Sequence, residues 1–249
     1  MASLTDPTIS NPVLSSLKVK SDDKIIFIRE NSFADSNFVI THLIKQLLYQ
    51  QCRICFLMMH NSFEHYQNVG KKLGYDLRQT VEMGNVKVFD PLEDLVENIG
   101  QRFEDANNGG ILNCLFDSIK KEIASFLSNS NSPIYLVIDD LSHFLDLGAE
   151  LSEMVQFTNN CINLTGEGNI FTVINSHVSS KNDLVVANSV QYVCDLFVNV
   201  SSLKTGRSTD VTGLMTVQRG ENEQKFHFRA FDRGVKTFRP GEAIFNLYK

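Results

Sequence analysis

No glycine precedes Gly70 in this chain. The segment after the first apolar run, Glu30-Asn31-Ser32-Phe33-Ala34-Asp35-Ser36-Asn37-Phe38, therefore has none, and it has no lysine either. A phosphate loop needs glycines so that backbone N–H groups can approach the phosphates, followed by a Lys and a Ser or Thr. Glu30 and Asp35 instead put negative charge where a triphosphate needs positive charge. These absences argue against an ordinary catalytic P-loop ATPase. Long apolar runs are also missing, and no stretch approaches a membrane span. Residues 1–16 are polar, carry two prolines and contain no signal-peptide core. There is no general basic surplus, since the net charge is -6, which argues against an overall nucleic-acid coat. The cysteines number five, an odd count spread over the chain, which favours reduced thiols in an intracellular protein. The N-x-S/T matches at Asn163 and Asn199 then lack the extracellular acceptor chemistry. No nucleophile elbow occurs, and His42, His143, His177 and His227 have no serine or cysteine at a recognisable spacing.

What is present is organised around Pro133-Ile134-Tyr135-Leu136-Val137-Ile138-Asp139-Asp140-Leu141-Ser142. Ile134 to Ile138 is an unbroken apolar run, read as a strand buried on both faces of a parallel sheet. Two carboxylates follow where that strand should end, the place where open α/β sheets bind ligands. Two readings stay open at this point. Asp139 and Asp140 hold a magnesium ion beside a nucleotide, or Asp139 leaves the core while Asp140 or Ser142 caps the short turn Leu141 to Leu147.

The chain around it alternates. Strands are expected at Lys24 to Arg29, Arg53 to Met59, Val86 to Phe89, in the Asp-Asp stretch, and at Ile170 to Ile174. Helices are expected at Ser36 to Gln50, at Asn61 to Leu73 with Asn61 and Glu64 as a capping box, and from Asp90-Pro91 onward through Phe103. Further helices are expected at Ile111 to Leu127, Glu150 to Leu164 and Asp183 to Val193. From Leu196 the pattern changes to short strands, Leu196 to Ser201, Thr212 to Gln218, Lys225 to Ala230 and Val235 to Phe238, punctuated by Gly206, Gly220 and Gly234. The expected fold is α/β, a doubly wound, mainly parallel sheet extended by antiparallel C-terminal strands. Residues 1–21 are expected to be a loosely ordered lead-in, and 22–249 a single domain.

Cys52-x2-Cys55-x4-His60-x4-His65 has zinc-knuckle spacing. It lies on an expected strand, however, where residues three apart face opposite sides. Buried thiols are the expectation, with no metal and no cofactor. From Leu203 to Lys249 there are nine Lys/Arg against five Asp/Glu, so an anionic partner is sought there. Lys204, Arg207, Arg219, Arg233, Lys236 and Arg239 are the candidate cations, with Arg229 and Phe226, Phe228, Phe231 and Phe238 interleaved. Charged edge strands that merely keep the sheet from aggregating are the alternative.

Cys52 to Gly74 reads C-R-I-C-F-L-M-M-H-N-S-F-E-H-Y-Q-N-V-G-K-K-L-G. It resembles the sixth-subunit family of the Elongator complex, whose members carry an S-F-x-H-Y-x-x-V-G-x-K-L-G run after the second strand. Here that run is Ser62, Phe63, His65, Tyr66, Val69, Gly70, Lys72, Leu73 and Gly74. Val137 to Gly148, V-I-D-D-L-S-H-F-L-D-L-G, is similar to the family's second motif. The resemblance implies a RecA-like fold with a degenerate phosphate loop, and a degenerate Walker B-like run at Asp139, Asp140 and Ser142. It implies a non-catalytic pseudo-ATPase in a heterohexameric ring with Elongator subunits 4 and 5. That ring binds tRNA and supports wobble-uridine modification, the chemistry lying in another subunit. No membrane partner is expected; the expected location is the cytoplasm, with the nucleus as a second compartment. The alternatives are a nucleotide hydrolase with an unorthodox phosphate loop and a degenerate recombinase-like DNA-binding protein. From the residues themselves, Phe63, Tyr66, Val69 and Leu73 form a stripe expected to face the sheet, Gly70 suggests close backbone approach, and Gly74 suits a helix C-cap.

Overall fold

The structure, a computed structural model, describes residues 11–31, 34–93, 110–203, 206, 208, 210–232 and 234–242. Nine strands form one sheet in the order β3-β2-β4-β5-β1-β6-β7-β8-β9. They are β1 (Ile25–Asn31), β2 (Arg53–Met58), β3 (Val86–Phe89), β4 (Ile134–Asp139), β5 (Ile170–Val178), β6 (Leu196–Ser201), β7 (Gly213–Arg219), β8 (Asn222–Phe231) and β9 (Gly234–Phe238). The helices are α1 (Pro12–Leu17), α2 (Asn37–Tyr49), α3 (Phe63–Leu73), α4 (Leu77–Glu82), α5 (Gly110–Asn129), α6 (His143–Asp146), α7 (Leu151–Asn163) and α8 (Lys181–Val193).

Each central strand is apolar on both sides because each side meets helices. In β4, Tyr135 and Val137 join one buried cluster with α1, α2 and α3, whereas Ile134, Leu136 and Ile138 join the other with α5, α7 and α8. In β1, Ile26 and Ile28 lie on the first side and Phe27 on the second. A two-residue side-chain period explains this division. Cys52 and Cys55 also fall into opposite clusters, both buried. Burial pushes their thiols up to about 11 and about 12 respectively, so neither is a ready thiolate ligand.

Several local expectations need correction. Leu196–Ser201 joins the two parts of the sheet: β6 pairs parallel with β1, because α8 supplies a crossover between β5 and β6, and antiparallel with β7. Only β7, β8 and β9 run antiparallel. Residues 12–17 are not a loose lead-in. Asn11 caps α1, its Oδ1 accepting from the amides of Val13 and Leu14, and Val13, Leu14 and Leu17 are buried. The cap of α3 is Ser62, whose Oγ accepts from His65 N, not Asn61. Helix α4 was not expected; Asp76 caps it, accepting from Gln79 N at 3.0 Å. Asp90 accepts from Glu93 N as the capping pattern implies, while residues 94–109 of that expected helix lie outside the described residues. Gly74 does end α3, at φ 90°. Gly70 is small for a different reason than backbone approach: an added Cβ would sit 2.6 Å from the Tyr75 ring.

Candidate functional site

The carboxyl ends of β1, β4 and β5 carry polar residues directly after apolar runs, and the parallel register sets them side by side. Ile28 pairs with Asn175 and Glu30 with His177 across β1 and β5, and Ile138 pairs with Ile174 across β4 and β5. Asp139 therefore ends its strand beside Asn175. It is fully buried, and burial raises its carboxyl to about 6.

Its main partner comes from the other sequence motif. The Tyr66 hydroxyl donates to Asp139 Oδ2, and Asn37 Nδ2 of α2 donates to the Tyr66 oxygen at 2.7 Å. Tyr66 is wholly buried, its ring edge-on to Phe56 at 4.7 Å. Asn175 Nδ2 points at Asp139 Oδ1 from 3.5 Å, and Ser36 Oγ lies 2.8 Å from Asn175 Oδ1. The same hydroxyl is 2.8 Å from Glu30 Oε2, which also accepts from Ser36 N at 2.7 Å. With one proton, the serine donates to one of these oxygens at a time. Burial raises the Glu30 carboxyl, and the Ser36 bonds oppose that rise.

Glu30 thus sets a carboxyl group on the amide and hydroxyl of Ser36 at the start of α2. Helix N-termini attract anions through unpaired N–H groups and the helix dipole. At the start of α2 those groups are taken by the chain's own acids: Ser36 N by Glu30, and Asn37 N by Asp35 Oδ1 at 2.8 Å.

Asp140 turns away from Asp139. It has a left-handed φ of 60°, uncommon for a residue with a side chain. Its Oδ1 accepts from the amides of Ser142 and His177, at 3.2 and 3.1 Å. Its Oδ2 accepts from His177 Nδ1 at 2.7 Å, and that hydrogen bond lifts the His177 imidazole to about 9. Ser142 gives α6 no side-chain cap; its hydroxyl sits 2.7 Å from both Ser176 Oγ and His177 O, tying the turn to β5. His60 and His143 close the group, Nδ1 to Nε2 at 2.8 Å.

The remaining motif residues separate by role. Phe63 is half-buried, and His65 and Lys72 are exposed. Val69 and Leu73 are half-buried and line a groove with Phe38 and with Phe228, Phe231 and Val235 of β8 and β9. Of the candidate cations, Arg219 is committed within the chain. Its guanidinium pairs with buried Asp23 at 2.6 Å and donates to the carbonyls of Leu17 and Lys18. Lys236 lies 5.9 Å over the Phe231 ring, and Arg239 is exposed. Lys204, Arg207 and Arg233 lie outside the described residues.

A family model described as Elongation complex protein 6 matches residues 10–234. The chain belongs to this family. Elongator complex protein 6 of Danio rerio is 29% identical over 92% of this chain and 97% of its own length. The Drosophila melanogaster protein of that name is 26% identical over 87% and 90%, and the Homo sapiens one 26% over 74% of each chain. A solved structure, a KaiC-like protein of Pyrococcus horikoshii, superposes with a TM-score of 0.58 at 10% identity, covering 87% of this chain and 89% of that one. The fold of this family member is thus RecA-like, mainly parallel with antiparallel C-terminal strands. No helix among the described residues is long and apolar enough to cross a membrane.

The sequence placed the negative charge of Glu30 in this loop but not its bonds to Ser36, and it missed Asn37 and Asn175 as links and the histidine group. A signal existed: polar residues follow apolar runs at His60, Asp139-Asp140 and Asn175-Ser176-His177. Which of them meet depends on strand order.

Proposed function

We propose that this chain is a non-catalytic, RecA-like pseudo-ATPase subunit of Elongator. It assembles with subunits 4 and 5 into a heterohexameric ring and supports tRNA wobble-uridine modification by assembly and tRNA binding. The observation carrying the non-catalytic part is the Glu30 carboxylate on the amide and hydroxyl of Ser36, at the mouth of α2. An anion already placed there repels a triphosphate and occupies the donors it would need. Family membership and the RecA-like sheet support the place in the ring. Cytoplasmic and nuclear locations go with that role.

Contact with tRNA is assigned to Lys236 and Arg239, together with Lys204, Arg207 and Arg233. Arg219 is not among these contacts, because its donors are used by Asp23 and two carbonyls. The test is reconstitution with subunits 4 and 5, reading native mass, ATP turnover and tRNA affinity against salt. The reading expects a six-membered ring and no ATP turnover by the isolated chain. A Lys236→Glu, Arg239→Glu ring should bind tRNA more weakly, its log–log salt slope flatter by roughly one unit per lost phosphate contact. Turnover that vanishes in Asp139→Ala overturns the pseudo-ATPase reading. An unchanged slope in an intact variant ring removes these residues from the RNA interface.

A further inference from the structure

Two loops at the carboxyl edge of the sheet bring together groups that neither sequence motif joins. His60 follows β2; Asp140 and His143 follow β4. Their facing atoms form a triangle: His60 Nδ1 to His143 Nε2 is 2.8 Å, His143 Nε2 to Asp140 Oδ2 is 3.5 Å, and His60 Nδ1 to Asp140 Oδ2 is 3.9 Å. A tetrahedral zinc site with bonds of about 2.0–2.1 Å has ligand atoms roughly 3.3 Å apart. The triangle brackets that spacing. No cysteine belongs to it.

We propose that His60, His143 and Asp140 bind one divalent cation of the zinc class, with a water molecule completing a four-coordinate shell. Two imidazoles and one carboxylate suit zinc or cobalt far better than magnesium or calcium, which take all-oxygen shells. The two ring nitrogens lie 2.8 Å apart, a hydrogen-bond distance. A bound cation takes the place of that hydrogen bond and spreads the nitrogens by about 0.5 Å toward the spacing of a zinc shell. His60, with its side chain 45% exposed, has room to make that shift.

Beyond the triangle, the surroundings are those of a metal ligand set. Metal-bound histidines usually direct the other ring nitrogen at a carboxylate, which fixes the tautomer and the ring plane. His143 Nδ1 lies 3.3 Å from Asp146 Oδ2, leaving Nε2 for the metal. Asp140 is oriented from two sides: its Oδ1 is anchored by two backbone amides, and His177 Nδ1 donates to its Oδ2. One lone pair of Oδ2 then remains for the cation. Asp146 also faces His177 Nε2 at 3.4 Å, holding that second ring in place. His60 and His143 meet edge to edge, ring centroids 5.1 Å apart and planes 20° apart, with both rings reaching solvent, so the cation has a path in.

The test uses the full chain, purified with a tag that contains no histidine, stripped with chelator and titrated with zinc against a chromogenic indicator. Cobalt is added in parallel and its visible spectrum read. One equivalent of zinc per chain and a tetrahedral cobalt band without thiolate charge transfer are expected. His60→Ala and His143→Ala should each weaken binding more than 100-fold. Asp146→Asn, at a half-exposed position where unfolding is not at issue, should weaken it about 10–100-fold. His65→Ala, an exposed histidine outside the triangle, should bind like wild type. Sub-stoichiometric zinc in the wild-type chain overturns the site. So does full affinity in His60→Ala or Asp146→Asn, or binding that is lost instead with the exposed thiol in Cys114→Ser.

Discussion

Removing one oxygen, in Tyr66→Phe, separates the two sequence motifs without emptying the core. The ring and its edge contact with Phe56 stay. The donor to Asp139 and the acceptor for Asn37 Nδ2 are both lost. A hydrogen bond to a charged group contributes about 1.5–3 kcal/mol, and a buried donor left unpaired costs about 1–3 kcal/mol. Solvent offers little replacement, because Tyr66 and Asp139 are fully buried and Asn37 is 7% exposed. Without the tyrosine proton, Asp139 can itself take up a proton and recover part of the loss. The expected destabilisation is therefore about 3 kcal/mol, near the lower end of the sum. In a domain of this size that corresponds to a Tm drop of roughly 6–12 °C. Urea unfolding of the full chain measures it, with Tyr192→Phe, at a 91% exposed position, as the unaffected control. The double variant Tyr66→Phe, Asp139→Asn should lose much less than the sum of the singles. A Tyr66→Phe loss below about 1 kcal/mol, within the range of an ordinary exposed substitution, would refute the bond as a support of the site.

Two further outcomes follow from the same geometry. Burial raises the Glu30 carboxyl, so its favourable contribution is complete below the ordinary carboxylate range and is lost as pH rises through the folded-state value. Glu30→Gln keeps an acceptor for Ser36 N and removes that dependence. Stability should rise at neutral pH and change little in acid, and equal curves for the two proteins across pH would count against a costly half-buried anion. Arg219→Ala leaves Asp23, 3% exposed, without its cation. With the guanidinium partly solvated, a loss on the order of 2 kcal/mol is expected in a melt, and protease should then cut near residues 18–23; an unchanged melt would return Arg219 to the candidate RNA contacts.

Much of the α/β layering was legible because burial period is a local property. Ile25–Ile28 and Ile134–Ile138 are apolar throughout, so both faces had to be covered, and the clusters on the two sides of the sheet divide them residue by residue. Short-range chemistry was legible too. Pro91 after Asp90, Gly74 past the end of α3 and the glycine-free segment after β1 each carry their meaning within a few positions. The errors lie where local signals compete. Asn61 and Ser62 are both capping residues, and packing chose the serine. Residues 12–17 look weak alone, yet Val13, Leu14 and Leu17 become part of the core once β9 and α2 are beside them.

By itself, then, the sequence placed the central strands and most of the helices, showed that those strands are covered on both sides, and left the first loop without the glycines and lysine of the usual phosphate cradle, while helices α1 and α4 escaped it. Only the tertiary structure decided what the acids and histidines do. Tyr66 and Asp139 are 73 positions apart, His60 and His143 are 83, and Ser36 and Asn175 are 139. A periodicity of two or four residues carries no information over such distances. Their meeting depends on β2 lying beside β4 and on β5 lying between β4 and β1. That order is set by the crossover helices and by how every buried face packs at once.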